Sequence, residues 1–195
     1  MATINEKLKE KLSTLTKLNT KEWELVENYF EEVDYKKKAT VLDADRTAKY
    51  IYFIAEGSLR VFFEEDEHDY SIDFGFEGDF ICAFTSFLTQ QPSKVSIQAI
   101  EKTKVLRIAR QDLYKLYDLS PSFERLGRVL IEQHFVQKMS DYVSMMSQPA
   151  TTRYKNLIKK TPQVVTMLPV KYVASYLGIH SESLSRIRRN VAMCG

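Results

Sequence analysis

The chain has 195 residues, which is enough for one large domain or two modest ones. Apolar residues make up 44% of it and aromatic residues 12%, so a packed core is expected and wholesale disorder is excluded. Residues 150–195 hold eight basic residues and one acidic residue, a charge of +7, whereas residues 1–149 hold 20 basic and 25 acidic residues, a charge of −5. A basic end on an acidic body is typical of a nucleic-acid-binding module.

Further classes are excluded by cysteine content and by the lack of long apolar runs. The two cysteines, Cys82 and Cys194, are too few for a disulfide framework, a cysteine zinc site or a four-cysteine iron–sulfur cluster. The N-terminal segment MATINEKLKEKL is charged and lacks the apolar core of a secretory signal. No apolar run approaches the roughly 18–20 residues of a membrane helix. We therefore expect a soluble, cytoplasmic protein.

Residues 4–30 are predicted to be helical, because apolar residues recur there at helical spacing. A helix is expected to start at Thr20, since Glu22 and Glu24 then fall in its first turn, near the positive end of the helix dipole. The two apolar stripes are interpreted as core packing rather than as a groove for a partner. Their members are Ile4, Leu8, Leu12, Leu15 and Leu18, and then Trp23, Val26, Tyr29 and Phe30.

Between Lys36 and Ala109, short runs rich in β-branched and aromatic residues alternate with turn-like segments. This pattern predicts a small antiparallel sandwich or barrel. The predicted strands are Ala39–Leu42, Tyr50–Ala55, Leu59–Phe63, Tyr70–Phe76, Val95–Ile100 and Lys104–Ile108. A short helix is expected near Phe84–Leu88, between two of these strands. The acidic run Glu64–Asp69 is interpreted as a solvated hairpin tip, with a metal site as the disfavoured alternative.

A brief helix over Gln111–Leu116 precedes a long helix, which Ser120 can cap and Pro121 can begin. Nothing interrupts the long helix before Pro149. Its apolar residues approximate alternating spacings of three and four, which predicts a helix–helix seam. Pairing with a second copy in a homodimer is favoured over a purely intramolecular role. The residues assigned to this dimer helix are Leu126, Leu130, Phe135, Met139, Tyr142 and Met146.

Composition, charge and helix all change at residues 149–151, where we place a boundary. A basic amphipathic helix is predicted over 153–160, and a pair of short helices over 168–190. In that pair Pro169 can begin the first helix, Gly178 suits a left-handed C-cap, and Leu184 and Ile187 face the core. Five residues of the second helix then point outward: Ser181, Glu182, Ser185, Arg186 and Arg189. The pair is either a DNA-binding helix-turn-helix or an ordinary helical hairpin, and the +7 charge favours the former.

The order of strand-rich domain, long helix and helix-turn-helix resembles the CRP/FNR family of bacterial transcription regulators, and the resemblance spans nearly the whole chain. The segments that carry it are Ile51–Arg60, Gly78-Asp79, Val173–Ile179 and Glu182–Ile187. The resemblance implies an α+β fold: an N-terminal β-roll (a double-stranded β-helix, or jelly roll) that senses a signal, a long central dimerisation helix and a C-terminal helix-turn-helix. The corresponding domains are residues 1–118, 119–149 and 150–195.

In this family the β-roll binds a cyclic nucleotide through a Gly-Glu pair, a short helix and an Arg followed by Ser or Thr. The present sequence departs from that cassette, since Asp79 is followed by apolar residues and no arginine lies between Arg60 and Arg107. The effector pocket that the resemblance implies comprises Gly78, Asp79, Phe80, Ser93 and Lys94. A lysine meets a phosphate as a point charge, without the bidentate fork of arginine. Cyclic nucleotide is therefore a disfavoured ligand, and no cofactor is assigned.

The family's heme and iron–sulfur branches need ligands that are missing here, because His68, His134 and His180 are scattered over unrelated segments. No metal site is therefore assigned.

On the second helix of the pair, Glu182 and Arg186 match the family's base-reading glutamate and arginine. A carboxylate accepts from cytosine, and arginine can form two hydrogen bonds with guanine. The family's further arginine, just before the glutamate, is replaced by Ser181, which alters base preference. The residues assigned to phosphate contacts are Lys171, Ser183, Ser185, Arg188 and Arg189. The chain ends six residues after Arg189, so no hairpin wing is expected beyond this helix.

The sequence therefore predicts a homodimeric transcriptional regulator that binds an inverted-repeat operator in double-stranded DNA under the control of an unidentified small effector. RNA polymerase is a candidate further partner, and neither a membrane partner nor an enzymatic activity is expected. Two alternatives remain: a cyclic-nucleotide-binding signalling module, and an enzyme of the β-barrel cupin type. The cupin reading would need clustered metal ligands, which the scattered histidines do not supply.

Overall fold

The computed structural model describes residues 3–66 and 68–193, with the side chains of Ala192 and Met193 excepted. Cys194 and Glu67, which figure in the sequence predictions, lie outside these described residues. The chain forms two compact units. The first comprises the residues up to Val61 together with Phe74–Phe135, and the second comprises Phe62–Asp73 together with the residues from Val136 onward.

Two short helices, α1 (Ile4–Ser13) and α2 (Thr20–Tyr29), occupy the predicted N-terminal helical region. Each begins with a capping box, in which the N-cap side chain and a glutamate three residues later satisfy each other's backbone N–H groups. Thr3 and Glu6 form the first box. In the second, the Asn19 side chain accepts from the Glu22 N–H and the Glu22 carboxylate accepts from the Asn19 N–H. The cap of α2 is therefore Asn19, one residue before the predicted helix start.

Within the described residues the strands are β1 Glu31–Tyr35, β2 Thr40–Leu42, β3 Tyr50–Glu56, β4 Ser58–Glu65, β5 His68–Phe76, β6 Phe80–Ile81, β7 Ser96–Ala99 and β8 Thr103–Ala109. They form two sheets of four strands each, with the orders β1-β8-β3-β6 and β2-β7-β4-β5, and β8 pairs antiparallel with both β1 and β3. All six predicted strands are present. The structure adds β1, which pairs with β8, and β6, which pairs with β3.

Alternate side chains of β3 contribute to two different buried clusters of the first unit. Tyr52 and Ile54 face the apolar interior between the sheets. Phe53 and Ala55, on the opposite face, join a second buried cluster with Leu8, Leu12 and Val26 of the N-terminal helices. Because successive side chains of a strand point to opposite faces, one apolar run serves two cores.

Three helices follow in the first part of the chain: α3 (Phe84–Thr89), α4 (Arg110–Leu119) and the long α5 (Pro121–Ser147). The Ser120 hydroxyl accepts from the Ser122 N–H at 3.2 Å, as expected of a cap. Leu126 is only 8% exposed and belongs to the second core cluster, and Leu130 packs against the same cluster. These two residues were predicted to form the dimer seam, and for Leu126 the assignment is wrong, because its own chain already buries it.

The second unit contains the C-terminal half of α5 and four further helices. Their bounds are α6 Ala150–Lys160, α7 Gln163–Met167, α8 Val170–Tyr176 and α9 Ser181–Met193. Pro149 is the N-cap of α6, which places the predicted boundary at a helix start. The short α7 was not predicted, although its Val164 is 1% exposed and contributes to the core of this unit. The predicted α+β fold, with a β-roll, a long helix and C-terminal helices, is confirmed.

Candidate nucleic-acid interface and candidate effector pocket

The helices α8 and α9 form the predicted pair joined by a tight turn. Gly178 has a φ of +63°, the left-handed conformation that glycine adopts without steric cost. Its N–H donates to the Ser175 carbonyl, and the Ile179 N–H donates to the Ala174 carbonyl, so the end of α8 is capped by the turn itself. Leu177 is 2% exposed and Leu184 is fully buried. These contacts fix the direction of α9.

The outward face of α9 carries the predicted set, since Ser181, Glu182, Ser185, Arg186 and Arg189 are all exposed. Glu182 and Arg186 lie one helical turn apart, about 6 Å along the axis. A carboxylate and a guanidinium at this spacing can reach adjacent base edges in a major groove. The Ser185 hydroxyl donates to the Ser181 carbonyl at 2.9 Å, so Ser185 is turned back toward its own helix.

Arg188 differs from the other residues assigned to phosphate contacts. It is half-buried, and its guanidinium lies over the Tyr154 ring of α6 at 5.9 Å from the centroid. Its Nε and Nη2 atoms are buried and have no hydrogen-bond partner among the described residues. In this conformation Arg188 supports the contact between α6 and α9 rather than presenting its charge outward. Lys171, by contrast, is exposed on the first turn of α8.

Arg153 ties three segments of the second unit together. Its Nη1 donates to the Gln148 carbonyl at 2.6 Å, near the end of α5. Its Nη2 donates to the Leu177 carbonyl at 2.7 Å, just after α8. The sequence analysis assigned Arg153 no role beyond its charge, because the spacing of residues on α6 does not indicate carbonyl partners at the ends of two other helices.

The hairpin between β4 and β5 is hydrogen-bonded to α8. The Ser71 N–H donates to the Ser175 hydroxyl at 2.8 Å, and that hydroxyl donates to the Asp69 carbonyl at 2.9 Å. Lys138 of α5 forms an ion pair with Asp73 at 2.8 Å on the same hairpin. Two hydrogen bonds and one ion pair therefore hold the hairpin against α8 and α5 of its own unit.

In the first unit, Gly78, Asp79 and Phe80 form the turn that leads into β6. Gly78 has a φ of +89°, and its N–H donates to the Ile54 carbonyl at 2.9 Å. The Asp79 carboxylate accepts from the Phe76 N–H at 2.9 Å. The Phe80 ring packs 5.2 Å from that of Phe53. All three residues are used in strand and core contacts.

The other part of the predicted effector pocket consists of Ser93 and Lys94. Ser93 is 2% exposed, and its hydroxyl both donates to the Val95 carbonyl and accepts from the Val95 N–H. Its main chain pairs with the segment at Asp45 and Arg46. Lys94 is exposed.

The segment between the two halves is filled by apolar side chains. Cys82, Ala83 and Phe87 all belong to the buried cluster between the sheets. Burial raises the pKa of the Cys82 thiol well above its ordinary value. The short helix α3 was predicted from the sequence, but its packing into the core was not. This region has an apolar character that a cyclic phosphate does not match.

An arginine that the sequence analysis did not assign lies at the edge of this interior. Arg107 of β8 donates through Nε to the Glu31 carboxylate at 2.9 Å, and its guanidinium lies 4.2 Å from the centre of the Tyr50 ring. The hydrogen bond from Arg107 holds the pKa of Glu31 below its usual range. The charge of Arg107 is therefore balanced within the protein.

Within the described residues, no group of three or more His, Cys, Asp or Glu side chains is placed to hold a metal ion. His134 instead packs its ring 4.4 Å from that of Phe84. None of the described helices combines the length and apolar character that a membrane span requires.

Comparison with known proteins gives one family match over part of the chain and several similar structures. Residues 32–120 match the family model of the cyclic nucleotide-binding domain. FixK2 from Bradyrhizobium japonicum has a similar structure, with a TM-score of 0.73, 18% identity and coverage of 85% of this chain and 86% of that one. A protein from Eubacterium rectale, described as a transcriptional regulator of the crp/fnr family, gives a TM-score of 0.68 at 17% identity, with coverage of 91% and 85%.

The c-di-GMP-responsive global regulator CLP of Xanthomonas campestris gives a TM-score of 0.66 at 15% identity, with coverage of 91% of this chain and 93% of that one. No curated protein matches the sequence. Residues 32–120 of the chain therefore resemble a cyclic nucleotide-binding domain, and the chain has a fold like that of CRP/FNR-type transcription regulators. This confirms the resemblance inferred from the sequence.

Proposed function

We propose that this protein is a homodimeric, sequence-specific DNA-binding transcription regulator whose α9 helix enters the major groove. The observation that carries the proposal is the exposed face of α9, on which Glu182 and Arg186 stand one turn apart while Leu184 is fully buried beneath them. The rigid support matters because base readout requires side chains fixed to within a fraction of an ångström. The fold of transcription regulators and the +7 charge of residues 150–195 support the same role.

Each exposed residue then has a role that follows from its chemistry. Glu182 accepts from a cytosine amino group, and Arg186 donates two hydrogen bonds to O6 and N7 of a guanine. Ser181 contacts a base edge with less selectivity, since a hydroxyl both donates and accepts. The predicted phosphate contacts are Lys171, Ser183, Ser185, Arg188 and Arg189. Of these, Arg188 must first leave the Tyr154 ring, so it contributes only after a local rearrangement.

A dimer places two copies of α9 in successive major grooves about 34–36 Å apart, so the operator is an inverted repeat. In this proposal residues 1–118 sense the signal, residues 119–149 include the dimerisation helix and residues 150–195 bind DNA. A small effector shifts the population between two dimer geometries. The protein acts in the cytoplasm, with RNA polymerase as a further partner, and catalyses no reaction.

The test is an unbiased selection of binding sites from random double-stranded DNA, using the full chain. We expect enrichment of a partial palindrome. Arg186→Ala should weaken binding by about 1–3 kcal/mol and relax the preference at one base position in each half-site. Lys171→Ala should weaken binding to all sequences alike and reduce the salt dependence by about one phosphate contact.

Arg125→Ala is the matched control, because Arg125 is an exposed arginine of α5 that lies in the first unit. It removes the same charge without touching α9. An Arg186→Ala protein that selects the wild-type motif unchanged would contradict the proposed readout. So would selection that enriches no palindrome.

A second function, cyclic nucleotide capture, is favoured by the family match over residues 32–120. The apolar packing of Cys82, Ala83 and Phe87 disfavours it. Calorimetry with cyclic AMP and cyclic GMP tests whether the chain binds a cyclic nucleotide. Micromolar binding that is lost in Lys94→Ala would establish the capture function and place the ligand at the predicted pocket.

A further inference from the structure

Arg188 lies at the border between the buried and the outward faces of α9. It follows Ser185 by three residues and Ser181 by seven, which places it on the same side of the helix as these two exposed serines. Its guanidinium is nevertheless turned inward, over the Tyr154 ring of α6 at 5.9 Å from the centroid. The stem of an arginine is long enough to bring the charged group either into this contact or onto the outward face. One backbone position therefore allows two positions of the charge.

The inward position leaves the guanidinium of Arg188 poorly satisfied. Its Nε and Nη2 atoms are buried and form no hydrogen bond with any described residue. No described carboxylate forms an ion pair with it. A buried donor without an acceptor carries a desolvation penalty, which is larger for a charged group. The distance to the Tyr154 ring is also close to the outer limit of a cation–π contact, which is about 6 Å. The inward position is therefore held weakly.

Tyr154 is held in place by its own helix. It is 4% exposed, and the preceding residue, Arg153, donates to the Gln148 carbonyl at 2.6 Å and to the Leu177 carbonyl at 2.7 Å. These two bonds tie α6 to the end of α5 and to the turn between α8 and α9. The helix α6 therefore contacts the α8–α9 pair at the turn through Arg153 and on α9 through Tyr154. Of these two contacts, only the one between Tyr154 and Arg188 can open without the loss of a hydrogen bond.

A phosphate group is a better partner for Arg188 than the aromatic ring is. Phosphate oxygens accept charge-assisted hydrogen bonds from a guanidinium, often two at once, and these are about twice as strong as neutral hydrogen bonds. The Tyr154 ring offers no acceptor for the buried Nε and Nη2 atoms. Arg189, the next residue, is already exposed, so a nucleic-acid strand that meets Arg189 comes close to the outward position of Arg188. DNA bound on this face can therefore compete with Tyr154 for the guanidinium.

We propose that the Tyr154–Arg188 contact is autoinhibitory: it withholds one phosphate contact from α9 until a phosphate of bound DNA replaces the ring as the partner of the guanidinium. The inference rests on the proposed function, and it adds that Tyr154 competes with DNA for the same side chain. A chain that binds DNA through Arg188 loses a contact between α6 and α9. By thermodynamic linkage, a change that strengthens this contact weakens DNA binding, and a change that weakens the contact strengthens DNA binding.

The first test compares Tyr154→Leu with Tyr154→Phe in the full chain, using a labelled duplex of random sequence. Leucine removes the ring, so the affinity for the duplex should rise about two- to fivefold, the factor that a weak cation–π contact is worth. Phenylalanine keeps the face of the ring and should bind as the wild type does. A folded leucine variant that binds no more tightly than the phenylalanine variant would overturn the proposal.

The second test leaves the buried ring intact, so it does not depend on how the Tyr154 variants fold. Arg188→Met should reduce the salt dependence of DNA binding by about one phosphate contact. It should not lower the melting temperature, because methionine fills the same space without unsatisfied donors. Arg189→Met is the matched control, since it removes the same charge from the adjacent exposed position and leaves Arg188 over the ring. A lower melting temperature with unchanged salt dependence in Arg188→Met would give Arg188 a purely structural role and overturn the proposal.

Nuclear magnetic resonance observes the movement itself. The Nε–H signal of Arg188, assigned by its loss in Arg188→Met, should be shifted by the ring current of Tyr154 in the free protein. Addition of saturating duplex should move it to the range of exposed arginines, as in Arg189→Met with the same duplex. A signal that keeps the ring-current shift when DNA is bound would overturn the proposal and leave the proposed function intact. A wild-type chain that binds no duplex at any salt concentration would overturn both.

Discussion

The exposed apolar stripe of α5 leads to the prediction that Met146→Glu converts a dimer into monomers. The stripe consists of Phe135, Val136, Met139, Tyr142, Val143 and Met146, which are 64%, 66%, 44%, 58%, 57% and 71% exposed. Four of these positions, 135, 139, 142 and 146, follow spacings of four, three and four, as in a helix–helix seam. A seam of this kind should be covered by a second copy.

The exposed fractions set the size of that interface. If a fully exposed large side chain has about 180 Å² of surface, the six side chains together expose about 650 Å² per chain. Two chains then bury about 1,300 Å², which falls within the range of about 1,200–2,000 Å² for stable interfaces. Met146 contributes about 130 Å², so its loss weakens association by about 3 kcal/mol per chain and at most about 6 kcal/mol per dimer. The latter corresponds to about four orders of magnitude in the dissociation constant.

Sedimentation velocity over a wide range of protein concentrations measures this change. The wild-type chain should sediment as a dimer and Met146→Glu as a monomer with unchanged circular dichroism. Gln133→Glu is the control, because it places the same charge on an exposed polar position of the same helix. A wild-type protein that is monomeric throughout refutes the seam, and so does a Met146 variant that sediments as the wild type does.

Three further outcomes test the fold. Gly178→Ala should destabilise the second unit by about 1–2 kcal/mol in urea unfolding, because alanine is strained at the left-handed φ of +63°. The hydrogen bond from Ser120 lowers the pKa of Glu22, so the stability that Glu22 contributes is present above its ordinary pKa and is lost as pH falls through the folded pKa. Glu22→Gln should therefore reduce the loss of unfolding free energy as the pH falls through the acid range. An unchanged pH dependence in the variant would contradict this. Cys82, whose pKa burial raises, should resist alkylation in the native protein, as peptide mass spectrometry can show.

The sequence predicted those elements whose pattern reflects their own burial. The six predicted strands are rich in β-branched and aromatic residues, and all six formed. By contrast, β1 reads Glu-Glu-Val-Asp-Tyr, a composition with low strand propensity, and it forms because it pairs with β8 over five positions. A strand that is stabilised mainly by its partner cannot be predicted from its own residues.

The candidate sites also contain some features that the sequence predicts and others that depend on how the elements pack. The outward face of α9 follows from helical periodicity and was predicted residue by residue. The inward turn of Arg188 over Tyr154 was not predicted, because it depends on how α6 packs against α9. Leu126 likewise fits a seam by spacing, yet it lies in the core of its own chain. Periodicity identifies which residues share a face, but not which surface covers that face.

The docking of the β4–β5 hairpin on α8 has an electrostatic consequence. Residues 62–73 carry six acidic residues and no basic ones, and they belong to the same compact unit as the +7 segment. The unit as a whole carries a net charge of only +1, from nine basic and eight acidic residues. In a DNA-binding protein such internal counter-charge weakens the attraction of random sequence, which is mainly electrostatic, more than it weakens base readout. Under the proposed function, the protein is therefore expected to dissociate quickly from non-target DNA and to bind longest at sites that Glu182 and Arg186 recognise.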